Sequence, residues 1–101
     1  MIAGTINREK QIELIFNKTY SGIAGRAYGQ EVYREQVESA RGDAERLILV
    51  FPDHIKRVAA SFIQGFFSEL KSELGVQGTR DYVEIKASTD ELAEKISNRI
   101  Y

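Results

Sequence analysis

Apolar and polar positions along this chain repeat with two different periods, and the change of period marks out the elements. Ile12, Leu14 and Phe16 alternate with polar neighbours and Glu13 faces the other way, so residues 11–16 predict a strand. Ile15 makes its second face partly apolar. Val32, Tyr33, Val37 and Ala40 then recur at helical spacing, with Glu31, Arg34, Glu35 and Glu38 turned to water. This predicts a helix from Tyr28 or Gly29 to about Arg41, ended by Gly42 and Asp43. Leu47 to Phe51 is apolar without a break, which predicts a strand covered on both faces in the middle of an α/β sheet. Pro52 ends that strand, and Asp53 and His54 continue the turn.

Ser61 and Gln64 have the spacing of a capping box, which predicts the start of a second helix carrying Ile63, Phe66, Phe67, Leu70 and Leu74 on one face. Gly75 is its expected terminator, followed by a loop through Gln77, Gly78 and Thr79. Residues 81–86 predict a further strand, with Val83 and Ile85 on one face and Tyr82, Glu84 and Lys86 on the other. Ser88 with Glu91 forms a second capping-box pattern before a last helix through Leu92, Ala93, Ile96 and Ile100. At the other end, residues 1–6 predict a short edge strand, paired as a hairpin with 11–16 across the polar turn Asn7–Lys10.

The resulting order, β(β)αβαβα, defines an α/β protein with about four strands in a mixed sheet and three helices. Right-handed crossovers join its parallel pairs. No linker, repeat or low-complexity segment interrupts residues 1–101, so a single domain is expected. The loop after the central strand lies where open α/β sheets usually carry their function.

Composition narrows the chemistry. An apolar share of 43% and a charged share of 29% are those of an ordinary globular protein. There is no cysteine, which excludes disulfides, thiolate metal sites and thiol catalysis. His54 is the single histidine, so neither a histidine metal site nor a standard triad is expected. Basic and acidic residues are mixed, with a net charge of −1, and no one-sided basic patch suggests nucleic acid. No apolar run approaches the length of a membrane span, and the polar start of the chain does not resemble a signal peptide. A cytoplasmic protein with no metal, no cofactor and no membrane association is therefore expected. With no cofactor fingerprint and no nucleophile beside an identifiable base, catalysis is not expected either.

Two stretches hold the candidate functional residues. In the first, Gly22, Gly25 and Gly29 with Arg26 lie between a strand and a helix. One reading is an anion or small-ligand loop, with free N–H groups at the helix start and Arg26 as the cation. The other is that the glycines permit a tight connection. The second stretch is the loop from Pro52 to Ser61 with the helix start after it. Ser61 serves as a cap, or as a phosphorylation site with Lys56 and Arg57 nearby in sequence. His54 reads as an exposed loop residue, and Phe62, off the centre of the apolar stripe, as a partly exposed anchor for a protein partner.

Two segments of the chain resemble STAS-like domains, small bacterial and phage proteins related in fold to anti-sigma-factor antagonists. Gly25-Arg26, Gly29 and Arg34 are similar to that family's GR-x-x-G run leading into a helix. The apolar strand 47–51 followed by Ala60-Ser61-Phe62 is similar to its strand, loop and "SF" helix start. The resemblance implies a regulatory protein-interaction module whose partner is a kinase or an anti-sigma-like factor. By position Ser61 matches the serine phosphorylated in the antagonists. For such a module the loop from Pro52 to Ser61 and the helix start offer His54, Lys56, Arg57, Ser61 and Phe62 as the partner surface. The chain departs from the antagonists in carrying Ala60 where they have an aspartate before the serine, and Phe51-Pro52 where an acidic residue often ends the strand. The alternative, a small-ligand or anion binder using the glycine run, stands beside it.

Overall fold

The computed structural model describes residues 8–101. The expected strand at residues 1–6, and with it the hairpin, lies outside them. Five strands and four helices follow in order: β1, Glu9–Glu13; β2, Gly22–Ile23; α1, residues 26–41; β3, Arg46–Val50; β4, Arg57–Val58; α2, Ala60–Phe66; α3, Ser68–Tyr82; β5, Val83–Lys86; and α4, Asp90–Asn98. Helix α1 is α-helical over Arg26–Val32, widens into a π-helical stretch at Tyr33–Glu38 and returns to α over Ser39–Arg41.

Strands β1, β3 and β5 form a parallel sheet in that spatial order, while β2 and β4 pair in parallel as a separate short ribbon. The register aligns Ile12 with Leu49 and Leu49 with Ile85, and all three are buried. The alternate row, Gln11–Ile48–Glu84, is polar at both edges. When parallel strands follow one another in sequence order, right-handed crossovers put every connecting helix on the same face. One face of the sheet is thus covered by helices.

That arrangement corrects the expectation for the central strand. Leu47, Leu49 and Phe51 are fully buried, but Ile48 and Val50 are only half-buried, so the apolar run does not lie between two helical layers. The sheet also differs from the expected four-stranded mixed sheet: among the described residues it is three-stranded and wholly parallel, with the ribbon apart. The first strand begins earlier than its alternation implied, and its regular pairing stops at Glu13. The alternation still describes burial, since Ile12, Leu14 and Phe16 are inside and Ile15 is 76% exposed.

The expected single helix from Ser61 to Leu74 is two helices, broken at Phe67, where φ is −95° and ψ is 5°. Gly75 does adopt a positive φ of 77°, as a terminating glycine would, but the chain then re-enters a helix. The Thr79 hydroxyl donates to the Gly75 carbonyl at 2.8 Å, one turn back across the new helical stretch. The expected loop at 75–79 is consequently helical, and the last strand starts only at Val83.

Helices α1 and α2 touch backbone to backbone. A Cβ on Gly29 would collide with the Phe62 carbonyl oxygen and the Phe66 amide nitrogen, and one on Gly65 with the carbonyl of Arg26. This close approach seats all five phenylalanines in one core. Phe62 lies 5.7 Å from Phe66 between ring centroids, Phe66 lies 4.8 Å from Phe67, and Phe16 lies near both Phe51 and Phe62. Edge-to-face and offset contacts of this kind add to simple burial.

Candidate functional site

The segment after β3 carries the candidate residues His54, Lys56, Arg57, Ser61 and Phe62. Pro52 opens a turn closed by the Ile55 N–H donating to its carbonyl at 3.0 Å. The chain that follows then binds the loop after β1. Lys56 and Arg57 N–H groups both donate to the Ser21 carbonyl, and the Ala59 N–H donates to that of Ile23. These bonds make the β2–β4 ribbon and aim residues 54–61 across the start of α1.

The sequence-derived partner residues occupy four different environments. His54 is half-buried, not freely exposed, and its Nδ1 lies 2.8 Å from the Tyr20 carbonyl. A carbonyl only accepts, so Nδ1 carries a proton. The ring holds the loop after β1 and helps to line an apolar hollow of about 420 Å³ with Leu14, Ile15, Phe16, Lys18 and Pro52. Lys56 and Arg57 are exposed on another side of the ribbon. Ser61 is exposed, and its Oγ accepts a hydrogen bond from the Gly25 N–H at 3.0 Å. Phe62 is fully buried, against Phe16, Tyr28 and Phe66. It belongs to the core, which corrects its assignment as an exposed anchor: the tight α1–α2 crossing turns it inward.

Neither expected capping box forms. The N-cap of α2 is Ala59, with no side-chain cap, and Ser61 sits inside the first turn with its hydroxyl committed to Gly25. Gln64 reaches away instead, donating to the Arg99 carbonyl and accepting from Lys71 Nζ at 2.7 Å. In α4 the cap is one residue later than expected: Thr89 accepts from the Leu92 N–H, while Ser88 donates to the Ile55 carbonyl.

The glycine run serves several separate purposes. Gly22 pairs with Arg57 in the ribbon and lines two shallow hollows, of about 260 and 530 Å³, on either side of Ile23 and Ala24. Gly25 takes φ 106° and precedes α1, but its N–H is given to Ser61. Gly29 donates to the Gly25 carbonyl and faces α2. Arg26 is exposed at the helix start. The four residues therefore do not converge on one pocket.

Electrostatics follow from burial. Burial, then the charges of Tyr20, Glu31 and Glu35, raises the Tyr28 phenol above its ordinary value. Lys71 is lowered, first by burial and then by Arg26, which places those two cations close enough to feel each other. Among the described residues no group of three metal-binding side chains occurs, and no helix is long and apolar enough to cross a membrane.

Sequence reasoning missed a second group of residues. Leu92, Lys95 and Arg99 share one face of the last helical segment and meet Lys56, Arg57 and Val58 across a cleft of about 180 Å³. Their spacing was legible in the sequence, but the partner strand was not, because β4 is only two residues long. Compared with known proteins, the chain matches no family model, no curated protein and no solved structure.

Proposed function

We propose that this protein is a regulatory protein-binding module, of the kind the STAS-like resemblance implies, acting through the face around the start of α2. The observation that carries the reading is the Ser61–Gly25 hydrogen bond: an exposed hydroxyl ties the first turn of α2 to the residue before α1. A phosphoryl group on Ser61 would add roughly −1.5 to −2 charge beside the N-terminus of α1, whose dipole and free N–H groups favour an anion. It would also replace a 3.0 Å hydrogen bond that sets how the two helix starts meet. Lys56 and Arg57, exposed on the ribbon that leads into α2, supply charge for a partner surface. The partner class follows the resemblance: a kinase that modifies Ser61, or an anti-sigma-like factor that binds the unmodified face. The glycine-run alternative has less support, because the Gly25 and Gly29 N–H groups are already donating within the protein.

The test is affinity capture from the native lysate with wild-type protein, Ser61→Ala and Ser61→Asp as bait. A specific partner held by wild type and Ser61→Ala and lost by Ser61→Asp supports the reading. A partner held equally by all three, or none at all, overturns it.

A further inference from the structure

We infer that the cleft between β4 and α4 is a binding site for a small phosphoryl polyanion of the diphosphate class. The cleft shares Lys56 and Arg57 with the partner surface proposed above, but it does not depend on Ser61, and its other two cations, Lys95 and Arg99, belong to it alone. Four cations line this cleft: Lys56 and Arg57 from the ribbon, Lys95 and Arg99 from α4 and its end. Between them lie Val58 and the buried Leu92.

Lys10, Lys18, Arg26, Arg80 and Lys86 also lack an ion pair, but these four cations line one cleft with no counter-ion among the described residues. Arg8, Arg34, Arg41 and Arg46 each form an ion pair with one or two carboxylates. All 15 acidic residues of the chain fall within residues 8–101, yet none forms an ion pair with Lys56, Arg57, Lys95 or Arg99. Glu91 stands four residues before Lys95, at the spacing that favours a helical pair, and does not reach it. Lys95 and Arg99 are themselves four apart, so like charges share a face at some cost. Attraction to the α4 carboxyl-terminal dipole accounts for those two cations. It does not account for Lys56 and Arg57, which come from a different element and face the same hollow.

The size and lining of the cleft narrow the ligand. At about 180 Å³ it is smaller than the roughly 300–1,000 Å³ that encloses a whole organic ligand. It suits an anionic group, free or at the end of a larger molecule. Two guanidinium forks match phosphate oxygens in paired geometry, and two ammonium groups add point charge. Four cations outweigh a monoanion, and the apolar floor strengthens attraction by excluding some water. A diphosphate satisfies these conditions; its source is either inorganic pyrophosphate or the diphosphate end of a nucleotide.

The experiment is a titration of the full chain at fixed ionic strength, followed by calorimetry and by amide chemical shifts. One arm uses inorganic pyrophosphate, one ADP, and a control arm uses sodium chloride. The expected result is saturable one-site binding with shifts centred on residues 56–58 and 92–99. Lys95→Gln with Arg99→Gln should weaken it by at least about a hundredfold, about tenfold for each charge-assisted hydrogen bond removed. The same double variant should melt close to wild type, because relief of like-charge repulsion offsets the lost attraction to the helix dipole; weaker binding with retained stability separates a site from a structural role. Tighter binding of ADP assigns the nucleotide source, and equal or weaker binding assigns the free diphosphate. Shifts that fail to saturate or spread evenly over the surface overturn the proposal, as does an unchanged affinity in the double variant.

Discussion

Gln36 holds both main-chain polar groups of Ile15: the Ile15 N–H donates to Gln36 Oε1 at 2.7 Å, and Gln36 Nε2 donates to the Ile15 carbonyl at 2.8 Å. The side chain thereby imitates one rung of a strand ladder. Leu14, one residue earlier, gives its N–H to Val50 of β3, so the groups of Ile15 point away from that strand and need another partner. Gln36 lies in the π-helical stretch of α1, where the widened turn shifts which side chains face the sheet. Gln36→Ala should cost about 1–2 kcal/mol, toward the lower end because Ile15 is solvent-accessible and water can replace the amide. A lower urea midpoint at unchanged slope is the expected readout; an unchanged midpoint would show that the pair contributes nothing.

The α1–α2 crossing depends on two glycines for space and not for backbone freedom. Gly29 and Gly65 have no positive φ, but a methyl group on either strikes the backbone of the opposite helix. Gly75 is the contrasting case: φ is 77° and nothing lies within 4 Å of where its Cβ would be. Gly65→Ala should therefore cost about 3 kcal/mol or more, since only a shift of the whole helix can relieve a backbone collision. Gly75→Ala should cost less, about 1–3 kcal/mol, the backbone penalty alone for a φ of 77° with a ψ of 172°, a combination essentially only glycine adopts. Chemical denaturation of both variants checks the order, and equal losses would mean that the crossing yields easily.

Much of the fold was legible because burial follows period more faithfully than it follows element boundaries. Ile12, Leu14 and Phe16, Val32, Tyr33 and Val37, and Val83 with Ile85 all turn inward as their spacing predicted. What failed was local chemistry overridden by distant partners. Ser61 and Gln64 have capping-box spacing, but Gly25 and Arg99 offered partners that no local pattern reveals. Gly75 does break the helix, as expected of it, but the residues after it form a further helical turn where a loop was expected. Phe62 looked exposed on a helical wheel, and the close approach permitted by Gly29 and Gly65 buried it. The basic cleft was invisible for a related reason: its two halves are more than thirty residues apart.

The caps give a direct contrast between expected and observed hydrogen bonds. Thr89→Ala removes the acceptor for the Leu92 N–H at the start of α4 and should cost about 1 kcal/mol. Ser88→Ala removes only a 3.3 Å hydrogen bond to the Ile55 carbonyl and should cost less, about 0.5 kcal/mol. Thermal melts of the two single variants test this, and a larger drop from Ser88→Ala would return the cap to the position that the sequence pattern favours.

Alkaline pH should weaken the fold through two tyrosines. Tyr28 is raised by burial and then by the charges of Tyr20, Glu31 and Glu35. Tyr33 is raised chiefly by burial, with Arg41 opposing and Glu69, Glu73 and Glu38 adding to the rise. A folded value above the unfolded one means that the native state keeps its proton where the unfolded chain has lost it. The associated stability is whole below about pH 10, the ordinary tyrosine value, and disappears as pH climbs through the raised values. Lys71 acts in the opposite sense. Its value is lowered by burial and by Arg26, so the cost of its charge is relieved as pH rises toward the ordinary lysine range. The urea midpoint followed from neutral pH upward should therefore fall beyond about pH 10, and fall more steeply in Lys71→Met, which lacks the compensating gain. Tyr33→Phe should flatten the decline. Phenolate absorbance gives an independent check: part of the native titration should lag behind that of the urea-unfolded chain. If all five tyrosines ionise together at the unfolded value, the buried phenols are accessible to solvent and the explanation fails.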